Sequence, residues 1–197
     1  MSTESIISTQ DSMMEKLLEF YNDKKNIDIL VKFIDGKNGT TDDESSKKSS
    51  KIPKKEPKLS LRLLNWFCTN YAKQYNVAYF IKKRNKQYLF NVYTEYKIRA
   101  GSESKKYFDP FRRGGSNNNK IIIEYNENGE TKTLKTTTAQ LNFFEWIISN
   151  NVLNYIEKHL KEIYDDQILR FNKNKGTGPK KKQISDNINK KLIIIEK

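Results

Sequence analysis

One cysteine and one histidine are present among 197 residues. A single thiol excludes an internal disulfide, and one thiol with one imidazole excludes an intrachain zinc site of the usual Cys/His kind. Long apolar runs are missing too. None approaches the roughly 18 residues of a membrane span, and Met1–Asp11 shows neither the basic n-region nor the apolar h-region of a secretory signal. No G-x-S-x-G, P-loop or dinucleotide fingerprint occurs, and no cofactor is expected. Hydrophobic residues make up 36 % and the mean hydropathy is −0.85. A compact domain carries about 45 % apolar residues or more, so part of this chain is expected to stay unpacked. These absences predict a soluble, intracellular protein with no membrane partner.

Cations and aromatic rings are what the chain has in plenty. Lys and Arg number 37 against 24 Asp and Glu, a formal charge of +13, with a pI near 9.6. Eleven Tyr, ten Phe and two Trp supply material for a core. The charge is uneven: residues 58–113 carry thirteen basic and three acidic side chains, and residues 171–197 carry eight and two. Residues 1–35 and 114–170 are net acidic. The positive excess therefore lies in one stretch of the folded region and in the C-terminal tail.

Periodicity predicts an α+β fold. Ser12 with Glu15 forms a capping-box pattern, followed by Met14, Leu17, Leu18 and Tyr21 at helical spacing. Asn26 is a second candidate cap, ahead of Ile27, Leu30, Val31 and Ile34, and Gly36 can end that helix. Residues 1–36 thus read as a helical hairpin. Residues 37–58, rich in Ser, Lys, acid and Pro, cannot offset chain-ordering entropy and read as a disordered linker. The main domain is expected over 59–171 as helices packed on a small antiparallel sheet. It starts at the N-cap Ser60 with a helix buried on most sides, through Leu61, Leu64, Cys68, Tyr71 and Tyr75, flanked by Leu63, Trp66 and Phe67. Val77, Tyr79 and Ile81 alternate as a strand, Lys83–Lys86 is a turn, and Leu89–Ile98 reads as a strand or a helix.

Ile121, Ile123 and Tyr125 alternate up to the hairpin turn Asn128-Gly129. That register sets Ile123 opposite Leu134, Glu124 opposite Thr133 and Glu127 opposite Glu130, a like-charge pair for which a longer loop is the alternative. Thr137 with Gln140 opens an apolar helix through Leu141, Phe143, Phe144, Trp146, Ile147 and Ile148. Asn150-Asn151 interrupts it, and Val152 to about Leu169 continues as an amphipathic helix. Residues 172–197 form a basic tail ending in Leu192–Ile195, a β-prone run that is either a frayed terminus or an added edge strand.

Catalytic candidates are few. His159 lies on the apolar stripe of the last helix and Cys68 on a buried face, where thiols are usually inert. Asp109-Pro110 ahead of Glu130-Thr131-Lys132 matches a metal-dependent nuclease spacing, two carboxylates for Mg²⁺ and an ammonium for developing charge. Glu95-Tyr96-Lys97 repeats the Glu-x-Lys pattern, so chance explains it as well. The stronger signal is cations interleaved with aromatics. Lys82, Lys83, Arg84, Lys86, Lys97, Arg99, Lys105, Lys106, Arg112 and Arg113 lie among Tyr79, Phe80, Tyr88, Tyr93, Tyr96, Tyr107 and Phe108. Cations meet phosphates and rings stack on unpaired bases; a solvated charged face is the bland alternative. Lys180, Lys181 and Lys182 in the tail read as an electrostatic arm, a nuclear-import signal or compositional bias.

Ser104–Arg113 (SKKYFDPFRR) followed by Thr136–Trp146 (TTTAQLNFFEW) resembles an uncharacterised family of nucleocytoplasmic large DNA viruses. The Ser-Leu-Arg-Leu start at Ser60–Leu63 and the segment Asn151–Ile156 are similar to that family as well. The family pattern has an extra small residue between Phe111 and Arg112, which this chain lacks. The resemblance implies a giant-virus setting, in a host-cytoplasm viral factory or the virion, with the nucleus as another location, and it supplies no catalytic residues. Sequence thus predicts a non-enzymatic basic protein that binds DNA or RNA mainly through the backbone. The alternative is a virion structural component docking on acidic viral protein partners.

Overall fold

The computed structural model describes residues 9–34, 57–112 and 120–175. In chain order the elements are α1 (Thr9–Tyr21), α2 (Lys24–Ile34), α3 (Leu61–Trp66), a π-helical turn (Phe67–Tyr71), α4 (Ala72–Gln74), β1 (Ala78–Lys83), β2 (Lys86–Asn91), α5 (Val92–Tyr107), β3 (Ile121–Glu127), β4 (Glu130–Thr136), α6 (Thr138–Ser149), α7 (Val152–Lys158) and α8 (Leu160–Lys175). The class is α+β, as expected. In place of one small sheet there are, among the described residues, two separate antiparallel pairs, β1–β2 and β3–β4. The chain divides into two compact units, Met1–Gly39 with Glu103–Ile148 and Thr40–Ser102 with Ser149–Lys197.

In the first unit the N-terminal hairpin belongs to the core around α6. Leu17, Tyr21, Ile27, Leu30 and Phe33 are buried. The Phe33 ring lies 5.3 Å from Phe144, and the Tyr21 hydroxyl donates to the Leu141 carbonyl at 2.7 Å. Burial, then the nearby Glu145 charge, pushes the Tyr21 phenol above its ordinary value. Helix starts differ from expectation. α1 opens at Thr9, so Ser12 and Glu15 lie inside it. α2 opens at Lys24, where Asp23 Oδ1 accepts from the Lys25 amide at 2.9 Å. Asn26 instead donates its side-chain amide to the Phe20 carbonyl, joining the two helices.

The β3–β4 register is the expected one, with Ile123 opposite Leu134, Glu124 opposite Thr133 and Glu127 opposite Glu130. Asn128 (φ 56°) and Gly129 (φ 85°) both take the left-handed conformation of a type I′ turn. The Glu127–Glu130 repulsion is met locally. Lys132 Nζ donates to Glu127 Oε2 at 2.5 Å, and this pairing raises the lysine pKa. No longer loop is needed.

The second unit starts at Ser60, whose Oγ accepts from the Leu63 amide at 3.2 Å, the expected cap. α3 then widens into the π-helical turn, where Thr69 Oγ1 donates to Asn65 O and the Ala72 amide reaches Phe67 O five residues back. The wider turn buries Phe67, Cys68 and Tyr71 together behind Leu63 and Leu64. The helix expected from Val152 to Leu169 is two helices, broken at His159 (φ −115°, ψ 21°). α8 continues to Lys175, past the tail boundary set at 171. Tyr155 stacks on Tyr79 (5.5 Å) and on His159 (4.5 Å), and lies 5.4 Å from the Phe67 ring. The Leu89–Ile98 ambiguity resolves at Asn91, where β2 ends and α5 begins. Asn91 Oδ1 accepts from the Thr94 amide at 3.0 Å, an N-cap contact that stops the strand.

Most of the predicted linker, residues 113–116, the Lys180–Lys182 run and the Leu192–Ile195 segment lie outside the described residues.

Candidate functional site

The densest group of candidate cations stands on the β1–β2 ribbon. Its six-pair register ends at Lys83 opposite Lys86, with Arg84 and Asn85 as the two-residue turn. Side chains alternate between two faces. Tyr79, Ile81 and Phe90 fill the inward face and are buried, while Phe80 and Leu89 form a directly opposed pair on the other. Along that outward face, Lys82 stands opposite Gln87. Phe80 is 42 % and Leu89 57 % exposed, and Tyr88 is half exposed near the tip.

The ribbon is held from below by Asn150, a buried residue in the turn between α6 and α7. Its carbonyl accepts from the Tyr79 hydroxyl at 2.9 Å, and its Oδ1 accepts from Lys83 Nζ at 2.8 Å. Next to the strand ends, the Val92 amide donates to Val77 O and the Asn91 side-chain amide to Asn76 Oδ1. Lys83 is therefore tied to the inward side by its head group, although it is exposed like Lys82, Arg84 and Lys86. Residues 78–91 contain four cations and no carboxylate. Among the described residues no carboxylate forms an ion pair with any of the four. The Lys83–Lys86 pair beside this turn thus lacks the internal counter-charge that Lys132 supplies beside the other.

Of the other candidates, Lys97 and Arg99 lie on the part of α5 that belongs to the second unit, and Lys105, Lys106 and Arg112 belong to the first. Lys106 lies over the Tyr107 ring at 5.0 Å, Lys105 is one position before it on α5, and Arg112 follows the Asp109–Phe111 turn. The motifs around Arg112 are fastened to one another. Asp109 Oδ1 accepts from the Phe111 amide at 2.8 Å, Gln140 Nε2 donates to Pro110 O at 3.1 Å, and Thr137 Oγ1 donates to Arg112 O at 3.2 Å. Thr137 also accepts from the Gln140 amide, so half the expected capping box is present. The Gln140 side chain is diverted to Pro110 and to Thr136. Phe108 packs against Phe143 and Trp146. Fully buried Asn142, which the pattern reading passed over, donates to Tyr107 O at 3.0 Å and to Glu103.

The enzyme-like spacings have other occupations. Asp109 closes its own turn and Lys132 pairs with Glu127, while Glu130 is exposed at the hairpin end. Cys68 is fully buried, and desolvation pushes its thiol well above the ordinary value, the wrong direction for a nucleophile. His159 Nδ1 faces Glu162 at 3.8 Å. Among the described residues no three His, Cys, Asp or Glu side chains gather to hold a metal ion, and no helix is long and apolar enough to cross a membrane.

Residues 3–193 match the family of unknown function DUF7197. The chain belongs to that family. An uncharacterised protein, L507, of Acanthamoeba polyphaga mimivirus is 37 % identical over 142 residues, 70 % of this chain and 53 % of that protein. The chain spans about half the length of this curated relative. No solved structure matches. The DUF7197 match and the mimivirus relative place the chain in an uncharacterised giant-virus protein family, as the paired motifs at 104–113 and 136–146 imply. Neither gives this DUF7197 chain an enzymatic role. In the structure those motifs explain one another: Thr137, just before α6, and Gln140 and Asn142, in its first turns, bind the carbonyls of Arg112, Pro110 and Tyr107.

Proposed function

We propose that this DUF7197 protein is a non-enzymatic nucleic-acid-binding protein that grips the phosphate backbone with its β1–β2 ribbon, in the viral factory or packaged with the genome. One observation carries the reading: four cations on one ribbon, two of them directly opposed, with no carboxylate among residues 78–91. Like charges set opposite one another destabilise a strand pair, and a polyanion removes that penalty while releasing its own counterions. Lys105, Lys106 and Arg112 add cations on the other unit, and Arg113 and Lys180–Lys182 add charge in sequence.

Fluorescence anisotropy of labelled oligonucleotides with the full chain tests this. Affinity is expected to fall linearly with salt on a log–log plot. Replacing Lys82, Arg84 and Lys86 with Gln should reduce the slope by about 0.7–0.9 for each phosphate no longer neutralised, equally across sequences. An unchanged slope would remove the ribbon from the interface. Displacement of the oligonucleotide by polyglutamate at matched charge would overturn the reading in favour of an acidic protein partner.

A further inference from the structure

We infer that the outward face of the β1–β2 ribbon is a stacking platform for unpaired bases, which makes single-stranded nucleic acid the ligand class; this rests on the nucleic-acid reading above. The ribbon carries more than charge. Phe80 and Leu89 are paired across the strands and point away from the core that Tyr79, Ile81 and Phe90 build, with 42 % and 57 % of their surface open. A backbone grip alone has no use for this apolar pair. A base face does, because stacking on a ring is tolerant of sequence and needs only an exposed π-surface.

Position supports the same occupant. Lys82 follows Phe80 on the same face, about 7 Å along the strand, within a lysine's reach of the phosphate beside a base lying on Phe80. Gln87, opposite Lys82, brings an amide to the same row. Arg84 carries the cationic track to the tip, while Lys83 and the Lys86 opposite it belong to the other face, Lys83 donating to Asn150. An apolar pair bordered by cations suits a ligand that is apolar on its face and anionic on its edge. In a duplex the base faces are already covered by their neighbours, and a flat ring on a strand gains nothing without unstacking them. An apolar protein surface would have to desolvate Lys82 without offering it a counter-charge.

The test compares oligothymidylate with the matching thymidine–adenosine duplex, using the full chain and its Phe80→Ala, Phe80→Trp and Ile122→Ala variants. Ile122 is exposed on β3 of the other unit and serves as the control. The single strand is expected to bind more tightly. Phe80→Ala should weaken it roughly 5- to 150-fold at an unchanged salt slope, leaving duplex affinity alone. Phe80→Trp should retain binding, with its added fluorescence quenched on the single strand, and Ile122→Ala should change nothing. Equal binding of both forms with Phe80→Ala silent would overturn the platform and leave the backbone grip standing. An equal loss on both forms, or loss in the Ile122 control, would also overturn it. Failure to bind either form would overturn both readings.

Discussion

Arg84 holds φ at 49° and Asn85 at 60°, the left-handed pair that a two-residue type I′ turn demands. The other hairpin fills those positions with Asn128 and Gly129, residues that adopt this conformation at little cost. An arginine there is strained by about 1 kcal/mol, and the strain sits at the tip of the cationic ribbon. Arg84→Asn is therefore expected to act in two directions. Urea unfolding should show a gain of about 0.5–1 kcal/mol, and anisotropy on the same samples should show weaker oligonucleotide binding. A gain in stability with unchanged affinity would mean that the guanidinium does not touch phosphate. Asn142 is the opposite case, a polar residue retained inside because two acceptors, Tyr107 O and Glu103, depend on its amide.

At the scale of elements, α6 is the most heavily buried, with Leu141, Phe143, Phe144 and Ile147 closed to solvent. Phe144 packs between Phe33 and Phe143, at 5.3 and 5.6 Å. Phe144→Ala should cost about 3–5 kcal/mol through lost transfer energy and a residual cavity, and a thermal melt of the variant checks it. The row of tyrosines in the second unit makes a separate expectation. Burial, aided by Glu162, pushes the Tyr155 phenol from an ordinary 10.0 up to about 12. Burial and the hydrogen bond to Glu162 push Tyr71 higher, and burial does the same for Tyr79. The folded chain holds these protons more tightly than the unfolded one, so their contribution is complete below pH 10 and is lost as pH rises through about 12 and beyond. Phenolate absorbance should therefore rise for the exposed tyrosines first, and for these three only as circular dichroism is lost. Early titration of all eleven would show that the row is open to solvent.

The β3–β4 pair was readable from sequence because alternation and an Asn-Gly turn agree with each other. The β1–β2 turn lies where the polar run Lys83–Lys86 sets it, but its register was not readable, since Arg84-Asn85 lacks the residues that specify a two-residue turn. α5 begins with Val, Tyr and Thr, residues that favour strands, and only the Asn91 cap decides for a helix. The break at His159 and the π-helical turn leave the apolar spacing almost intact, so periodicity could not show them. Nine of the candidate cations have described backbones, and four of those share the ribbon. The Phe80–Leu89 pair escaped notice because it exists only once the register is known.

At the scale of the whole chain, composition and packing disagree about where the N-terminal hairpin belongs. The Ser/Lys/Pro stretch after residue 36 suggests an appendage joined by a linker, whereas Leu17, Tyr21, Ile27, Leu30 and Phe33 are all buried in the first unit. Burying each such side chain is worth about 1.5–3 kcal/mol, so the five together match the whole stability of a typical domain, about 5–15 kcal/mol. Removing them would also leave the Leu141 carbonyl without the Tyr21 hydroxyl and uncover one side of Phe144. Deletion of residues 1–36 is accordingly expected to abolish slow amide exchange along β3, β4 and α6. Protection at Leu141–Ile147 equal to that of the full chain would restore the appendage reading, because an α6 core that survives without the hairpin does not need it. Free-chain exchange there would mean that the first unit is assembled from two distant stretches of sequence, the second of which does not hold its fold without the first.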